Sequence, residues 1–217
     1  HDSRGLIDRP NTGNGIHRRP QDRLVEANLR VEVFHDEVFA GGVLAAANHI
    51  SGFCKDVTLL SCIGRKNNYE DFIASHLKSN IKQNFYYRDD VPTVVKRRFV
   101  DPAFLTKLFE VCYLDDISPM PKDIEGEIID YLQNSLKDFD LVLVTDFGHG
   151  LITPKIIKFL SDKAKFLAVN VQTNSANLGY NLITKIHRAD FICIDEPEMR
   201  LACQDKISNL EQLIADV

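Results

Sequence analysis

From residue 41 onward the chain alternates two hydrophobic periods. Short, continuous apolar runs read as strands. Between them lie segments whose apolar residues recur three and four positions apart, as on one face of a helix. The run Leu141-Val142-Leu143-Val144 is apolar throughout and predicts a strand buried on both faces. It ends at Thr145-Asp146, and Phe147-Gly148-His149-Gly150 follows as a loop. A helix is predicted next, with Thr153 as N-cap and Pro154 at its first position. In an open parallel sheet, ligands bind outside the carboxyl ends of the strands. Asp146 and Gly148 therefore stand where a ligand would be met, although an acid beside two glycines is also an ordinary turn.

The same reading extends along the chain. Val57 to Ile63, ended by Gly64, predicts a buried strand, and Tyr69 to Lys78 has helical spacing. Phe85-Tyr86-Tyr87 predicts a short strand. Pro92 to Val100 and Leu105 to Leu114 predict two strands joined at Asp101-Pro102, more exposed than a core sheet. Ile124 to Leu136 is an amphipathic helix, Lys165 to Val171 a buried strand, and Asp190 to Ile194 another. Asp195 with Pro197 signals a helix start, and Ser208-x-x-Glu211 reads as a capping box for a last helix. Alternating strands and helices imply βαβ units and a parallel sheet, with a β excursion at about 85–114.

The front of the chain differs. Residues 1–23 are rich in Gly, Asn, Asp, Arg and Pro, so they are expected to be poorly ordered or an incomplete N-terminal segment. Leu29 to Val38 alternates apolar and polar residues, as a half-exposed strand does. Ala40-Gly41-Gly42-Val43-Leu44-Ala45-Ala46-Ala47 then predicts a tight turn into a helix packed closely on a sheet. Two glycines there allow the backbone to approach a ligand at the helix N-terminus.

Composition narrows the function classes. The 217 residues suit one sizeable α/β domain. Lys and Arg number 26 against 31 Asp and Glu, so the formal charge is 26 − 31 = −5 and gives no basic footprint for nucleic acid. No apolar run approaches the ~20 residues of a membrane span, and His1-Asp2-Ser3-Arg4 carries no signal-peptide pattern. The five cysteines form no C-x-x-C pair and are expected to be reduced thiols of a cytoplasmic protein.

Three stretches together resemble the ribokinase-like (PfkB-type) carbohydrate kinases, and among them the heptose-phosphate kinases often fused to a nucleotidyltransferase. Gly41-Gly42 with the alanine-rich helix to Gly52, followed by Val57 to Gly64, resembles the glycine signature of the sugar site. Val144-Thr145-Asp146-Phe147-Gly148-His149-Gly150-Leu151-Ile152-Thr153 is similar to the D-Y-G-K-G-x-x-T segment. Asp195-Glu196-Pro197-Glu198 aligns with the N-x-x-E motif near magnesium and phosphate, and Thr93 with Lys96 to Arg98 resembles the lid of heptose kinases.

The resemblance covers residues 24–217. It implies a three-layer α/β/α parallel sheet with a small β lid, drawn from about 29–39 and 92–113. It implies transfer of the ATP γ-phosphoryl group to a hydroxyl of a sugar or sugar phosphate, with Mg2+ bridging the phosphates. Gly41, Gly42, Asn48, Lys96, Arg98, Asp146 and Gly148 are the implied substrate residues, and Asn170, Asp195 and Glu198 the cofactor side, with Glu198 as the metal carboxylate. Family analogy adds a homodimer through the lid.

This sequence departs from the pattern at four positions. Ala45 falls in the register of the usual Asn, His149 replaces the loop Lys, Asn170 replaces a strand-end Asp, and Asp195 replaces the motif Asn. The G-A-G-D segment, which supplies the family's general base and anion hole, does not occur in these residues. The expectation is a sugar-binding portion that does not phosphorylate anything by itself. The alternatives are a non-catalytic sugar-binding module and a scaffold domain attached to a nucleotidyltransferase.

Overall fold

The computed structural model describes residues 35–115, 118–177 and 179–216. The chain divides at Val38/Phe39 into two units. The expectation for residues 1–23 and the first part of the Leu29–Val38 strand lie outside the described residues. Residues 35–38 carry no strand, which corrects the second part of that expectation. The account below concerns residues 39–217.

Two parallel sheets and one antiparallel hairpin organise this unit. The first sheet pairs β1 (Val57–Gly64) with β2 (Ile81–Arg88) in parallel, Val57 opposite Ile81 and Gly64 opposite Arg88. β2 is longer than the three residues expected. Helix α1 (Val43–Ile50) precedes β1, and α2 (Glu70–His76) is the crossover from β1 to β2. Side chains alternate across these strands, as period-2 geometry requires. Leu59, Ile81 and Phe85 pack with Ala47, Val43 and Leu44 of α1. Leu60, Cys62 and Tyr86 pack against the main core on the other side. This sheet is covered on both faces.

β3 (Val95–Asp101) and β4 (Thr106–Tyr113) form the antiparallel hairpin, with a register irregularity between Phe99 and Val100. Asp101 Oδ1 accepts the backbone N–H groups of Ala103 and Phe104, at 2.8 and 3.3 Å, which closes the turn. The β excursion read from the sequence is present, but it begins at Val95 and not at 85, because residues 85–87 pair in parallel with β1; its root is fixed. Gly64 donates its N–H to Thr93 Oγ1 at 3.0 Å. A Cβ at Gly64 would lie 2.5 Å from the Thr93 nitrogen, so only glycine lets the end of β1 meet this backbone.

The second parallel sheet runs β5 (Val142–Asp146), β6 (Leu167–Val171), β7 (Phe191–Ile192). Helix α3 (Lys122–Ser135) leads into β5, and α4 (Pro154–Lys163) connects β5 to β6. The expected cap of α4 is realised: Thr153 Oγ1 accepts the Ile156 N–H at 3.2 Å, with Pro154 in the first turn. Ile128, Ile129 and Leu132 of α3 join Ile156 and Leu160 of α4 over Val144, Leu167, Val169 and Val171.

Three expectations are corrected here. β5 is not buried on both faces, because Leu141 is 44% and Leu143 40% exposed. Both α3 and α4 lie on the Val142/Val144 side, and an apolar run cannot tell one covered face from two. β7 is two residues long, and its Phe191 is 56% exposed, rather than a buried strand from 190 to 194. Ser208 does not cap the last helix, α6 (Leu210–Asp216). Asn209 Oδ1 accepts the Glu211 and Gln212 N–H groups instead. Ser208 is drawn into a turn by Asp205, which accepts both its N–H and its hydroxyl. Those bonds hold the Asp205 carboxyl down at about 2, the Ser208 hydroxyl being the first cause.

Candidate functional site

The carboxyl end of β5 is built from the backbone outward. Asp146 is the last residue of the strand and almost wholly buried. Its side chain shares the buried parity of Val142 and Val144. Oδ1 accepts the Gly148 N–H at 2.9 Å, closing a tight turn. Oδ2 accepts from the ammonium of Lys185, which is carried on the 3-10 turn Ile183–Lys185. A buried carboxylate requires such a partner, since an unpaired buried charge costs far more than a paired one.

Three asparagines on the segment after β6 complete the turn. Asn174 donates its amide to the Phe147 carbonyl at 2.8 Å. Asn177 donates to the Gln172 carbonyl at 3.0 Å and to that of Phe147 at 3.3 Å. Asn181 donates to the Asp146 carbonyl at 3.0 Å and to that of Gln172 at 3.2 Å, and its Oδ1 accepts from Lys185. Backbone carbonyls left free by the end of a strand need such donors. Gly148 is required twice over. Its φ is +78°, and a Cβ would sit 2.7 Å from Asn177 Nδ2 and 3.1 Å from Asn181 Cβ.

The glycine pair before α1 meets this loop. Gly42 has φ +57°, and a Cβ there would lie 3.7 Å from Phe147 Cε2. Gly41 has open space around it. Gly42 is thus brought, from about a hundred residues away in the chain, against the loop of Asp146 and Gly148.

The cofactor-side candidates form a second group. Asp195 caps α5 (Glu196–Cys203), with Pro197 in its first turn, in a reciprocal capping box with Glu198. Asp195 Oδ1 accepts the Glu198 N–H at 2.8 Å, and Glu198 Oε2 accepts the Asp195 N–H at 3.0 Å. Glu198 Oε1 accepts the Thr173 N–H at 2.8 Å, which joins this box to the asparagine segment. Asn170 donates its amide to the Cys193 carbonyl at 2.7 Å and so ties β6 to the chain after β7. Among the described residues no three His, Cys, Asp or Glu groups converge as metal ligands. Each oxygen of the buried Glu198 accepts one backbone N–H, which fixes the orientation of its carboxylate.

The remaining candidates lie elsewhere. Asn48 braces α1 against the end of α2. Its amide donates to the His76 carbonyl at 2.7 Å, and its oxygen accepts the Lys78 N–H at 3.0 Å. Lys96 and Arg98 are on the hairpin, opposite Cys112 and Glu110. Arg98 Nε is 2.7 Å from Glu110 Oε2.

Asn174, Asn177, Asn181 and Lys185 lie between the strands expected at 165–171 and 190–194 and carry no role expected from sequence. The available signal was the spacing of three asparagines at i, i+3 and i+7 between two strands.

No family model matches the chain. It is 26% identical over 141 residues to the "Bifunctional protein HldE" of Campylobacter jejuni, covering 65% of this chain and 28% of that relative. It is 35% identical over 88 residues to the protein of the same name from Rhodopseudomonas palustris, covering 40% of this chain and 18% of the relative. The chain thus spans under a third of the length of these relatives. Among solved structures, it resembles a possible 1-phosphofructokinase of Thermotoga maritima with a TM-score of 0.55 at 14% identity, over 80% of this chain and 54% of that one. It also resembles the ribokinase of Giardia lamblia with a TM-score of 0.51 at 13% identity, over 73% of this chain and 47% of that one. The fold is ribokinase-like, as the motifs implied.

Proposed function

We propose that this chain is the sugar-binding part of a carbohydrate kinase, which transfers the ATP γ-phosphoryl group to a hydroxyl of a sugar or sugar phosphate. The observation that carries the reading is the approach of Gly42 to Phe147. It brings two loops, each with a positive-φ glycine, together at the carboxyl ends of parallel strands, where open α/β sheets bind ligands. The likeness to proteins named HldE favours a heptose or hexose phosphate as the class of substrate.

Within this reading, Gly41, Gly42 and Gly148 supply backbone that a polyol can approach closely. Asp146 shapes the loop beneath it. Lys96 and Arg98 on the β3–β4 lid offer cations for a substrate phosphate, although Arg98 must first leave Glu110. Asn170, Asp195 and Glu198 lie on the nucleotide side and brace the junction of β6 with α5. Phosphoryl transfer depends chiefly on positioning and on charge stabilisation at the transferred group. Magnesium usually reaches such sites held largely by the nucleotide's own phosphates. Glu198, its carboxylate oriented by two backbone amides, is the residue that would meet that metal or its water. Lids of two copies pairing as a homodimer, and a cytoplasmic location, belong to the same proposal. No helix among the described residues is long and apolar enough to cross a membrane.

The test is ATP consumption by the full-length gene product with a panel of sugars and sugar phosphates, with and without magnesium. Magnesium-dependent turnover of a heptose or hexose phosphate is the expected result. A sugar that binds and raises the melting temperature without any turnover would instead select a non-catalytic sugar-binding module, the reading favoured by the departures at Ala45, His149, Asn170 and Asp195.

A further inference from the structure

The carboxylate expected to meet the ligand is enclosed, whereas its partner is not. Asp146 is 4% exposed, and both its oxygens are engaged, by Gly148 N–H and by Lys185. The Lys185 side chain is 29% exposed. An ammonium has three donors. Two of those on Lys185 are directed to Asp146 Oδ2 and Asn181 Oδ1. The third remains for a group outside the protein. Lys185 also stands beside the loop in which a histidine, His149, occupies the place where the resemblance implies a lysine.

We propose that Lys185 is a sugar-binding residue, which gives its third N–H to a hydroxyl oxygen of the bound sugar. The charge of the site selects this ligand chemistry. Lys185 and Asp146 form a net-neutral pair, so the ammonium offers a directed hydrogen bond rather than a free positive charge. The Asp146 carboxylate offsets the pull of the ammonium on a phosphate, which leaves a neutral hydroxyl oxygen as the acceptor that suits it. The asparagines fix the position of that donor. Asn181 holds the ammonium through its oxygen while its amide is pinned to the Asp146 and Gln172 carbonyls. The donor is therefore aimed before the ligand arrives, which lowers the ordering cost of binding.

This inference rests on the sugar-kinase reading, and its test separates the two. Sugar affinity is measured by calorimetry without ATP, and turnover is measured with it, on the full-length gene product. Lys185→Met is expected to weaken sugar binding and raise the sugar KM by ~10- to 100-fold, the range for losing a charged hydrogen bond. The KM for ATP is expected to hold, and kcat to change by less than ~3-fold. Lys185→Arg is expected to recover much of the loss. Because Lys185→Met leaves a buried carboxylate alone, the double variant Asp146→Asn/Lys185→Met, in which no charge is orphaned, repeats the measurement if the single one does not fold. Unchanged sugar affinity in folded variants overturns the inference and leaves the kinase reading standing. So does a loss of affinity that fades as salt is raised, since that marks a phosphate contact. A folded wild type that binds no sugar of the panel overturns both.

Discussion

The strand-end loop around Asp146 and the β3–β4 hairpin are the two regions that face a ligand in the proposed reading, and they are built on opposite plans. The loop is over-determined. The carbonyls of Asp146, Phe147 and Gln172 each accept an asparagine amide, and the buried Asp146 has a partner for each oxygen. Among the described residues the hairpin is held by its own ladder, by stacking of Phe99 on Phe109 at 4.4 Å and by the Arg98–Glu110 pair. Phe104 and Leu105 at its tip are largely exposed. A donor can be aimed from the first kind of structure. The second kind suits the cover that the proposed reading assigns to it. Its fixed point is the Gly64–Thr93 junction at its root.

Substitutions should separate the two plans by size of effect. Gly148→Ala is expected to be the most damaging, at about 3 kcal/mol, because it puts a side chain at positive φ against Asn177 and Asn181. In a domain of this size that is a fall in melting temperature of about 6–12 °C. A fall under ~2 °C would show that the loop yields and the plan is not rigid. Asn181→Ala removes two amide donors and an acceptor of Lys185, and is expected to cost about 2 kcal/mol in a urea titration. The Asp146 carbonyl keeps the Gln172 N–H at 2.8 Å, which limits the loss.

Acid should act next, through two carboxylates outside both regions. The Leu167 N–H, followed by Arg188, holds the Asp190 carboxyl below its usual range, and Asp205 stands at about 2. A depressed folded pKa gives stability that is present above the unfolded value of about 4 and is lost as pH falls through the folded value. Thermal melts are therefore expected to be level from pH 7 to 5 and to drop between about pH 4 and pH 2; a melt unchanged at pH 2.5 would count against these bonds. The smallest effect belongs to the hairpin. Arg98→Ala breaks an exposed pair and should change stability by less than about 1 kcal/mol. A larger loss would mean that the hairpin is braced beyond its own contacts.

Much of the fold could be read along the chain because it follows from local rules. Thr153 with Pro154, and Asp195 with Glu198, cap helices through groups at most three residues apart. The hairpin followed from two strand-like runs around Asp101-Pro102. Ser208 misled because Asp205, on its other side, offered its hydroxyl and N–H a better partner, leaving the cap to Asn209. The two-sided burial read for β5 failed because the pattern Leu141 to Val144 records apolarity, not which faces have neighbours.

The candidate site divides along the same line. By itself, the sequence determined the strand that ends at Asp146, the glycines that allow its loop to turn, and the motif order that implied the fold. Each depends on residues adjacent in the chain, where propensity and spacing act directly. Only the tertiary structure decided that Gly42 lies against Phe147, that Lys185, 39 residues on, closes over Asp146, and that three asparagines satisfy the loop's carbonyls. Asparagine is at home in any loop. Which carbonyl its amide reaches depends on where the sheet sets the two strand ends side by side, and no local pattern carries that distance.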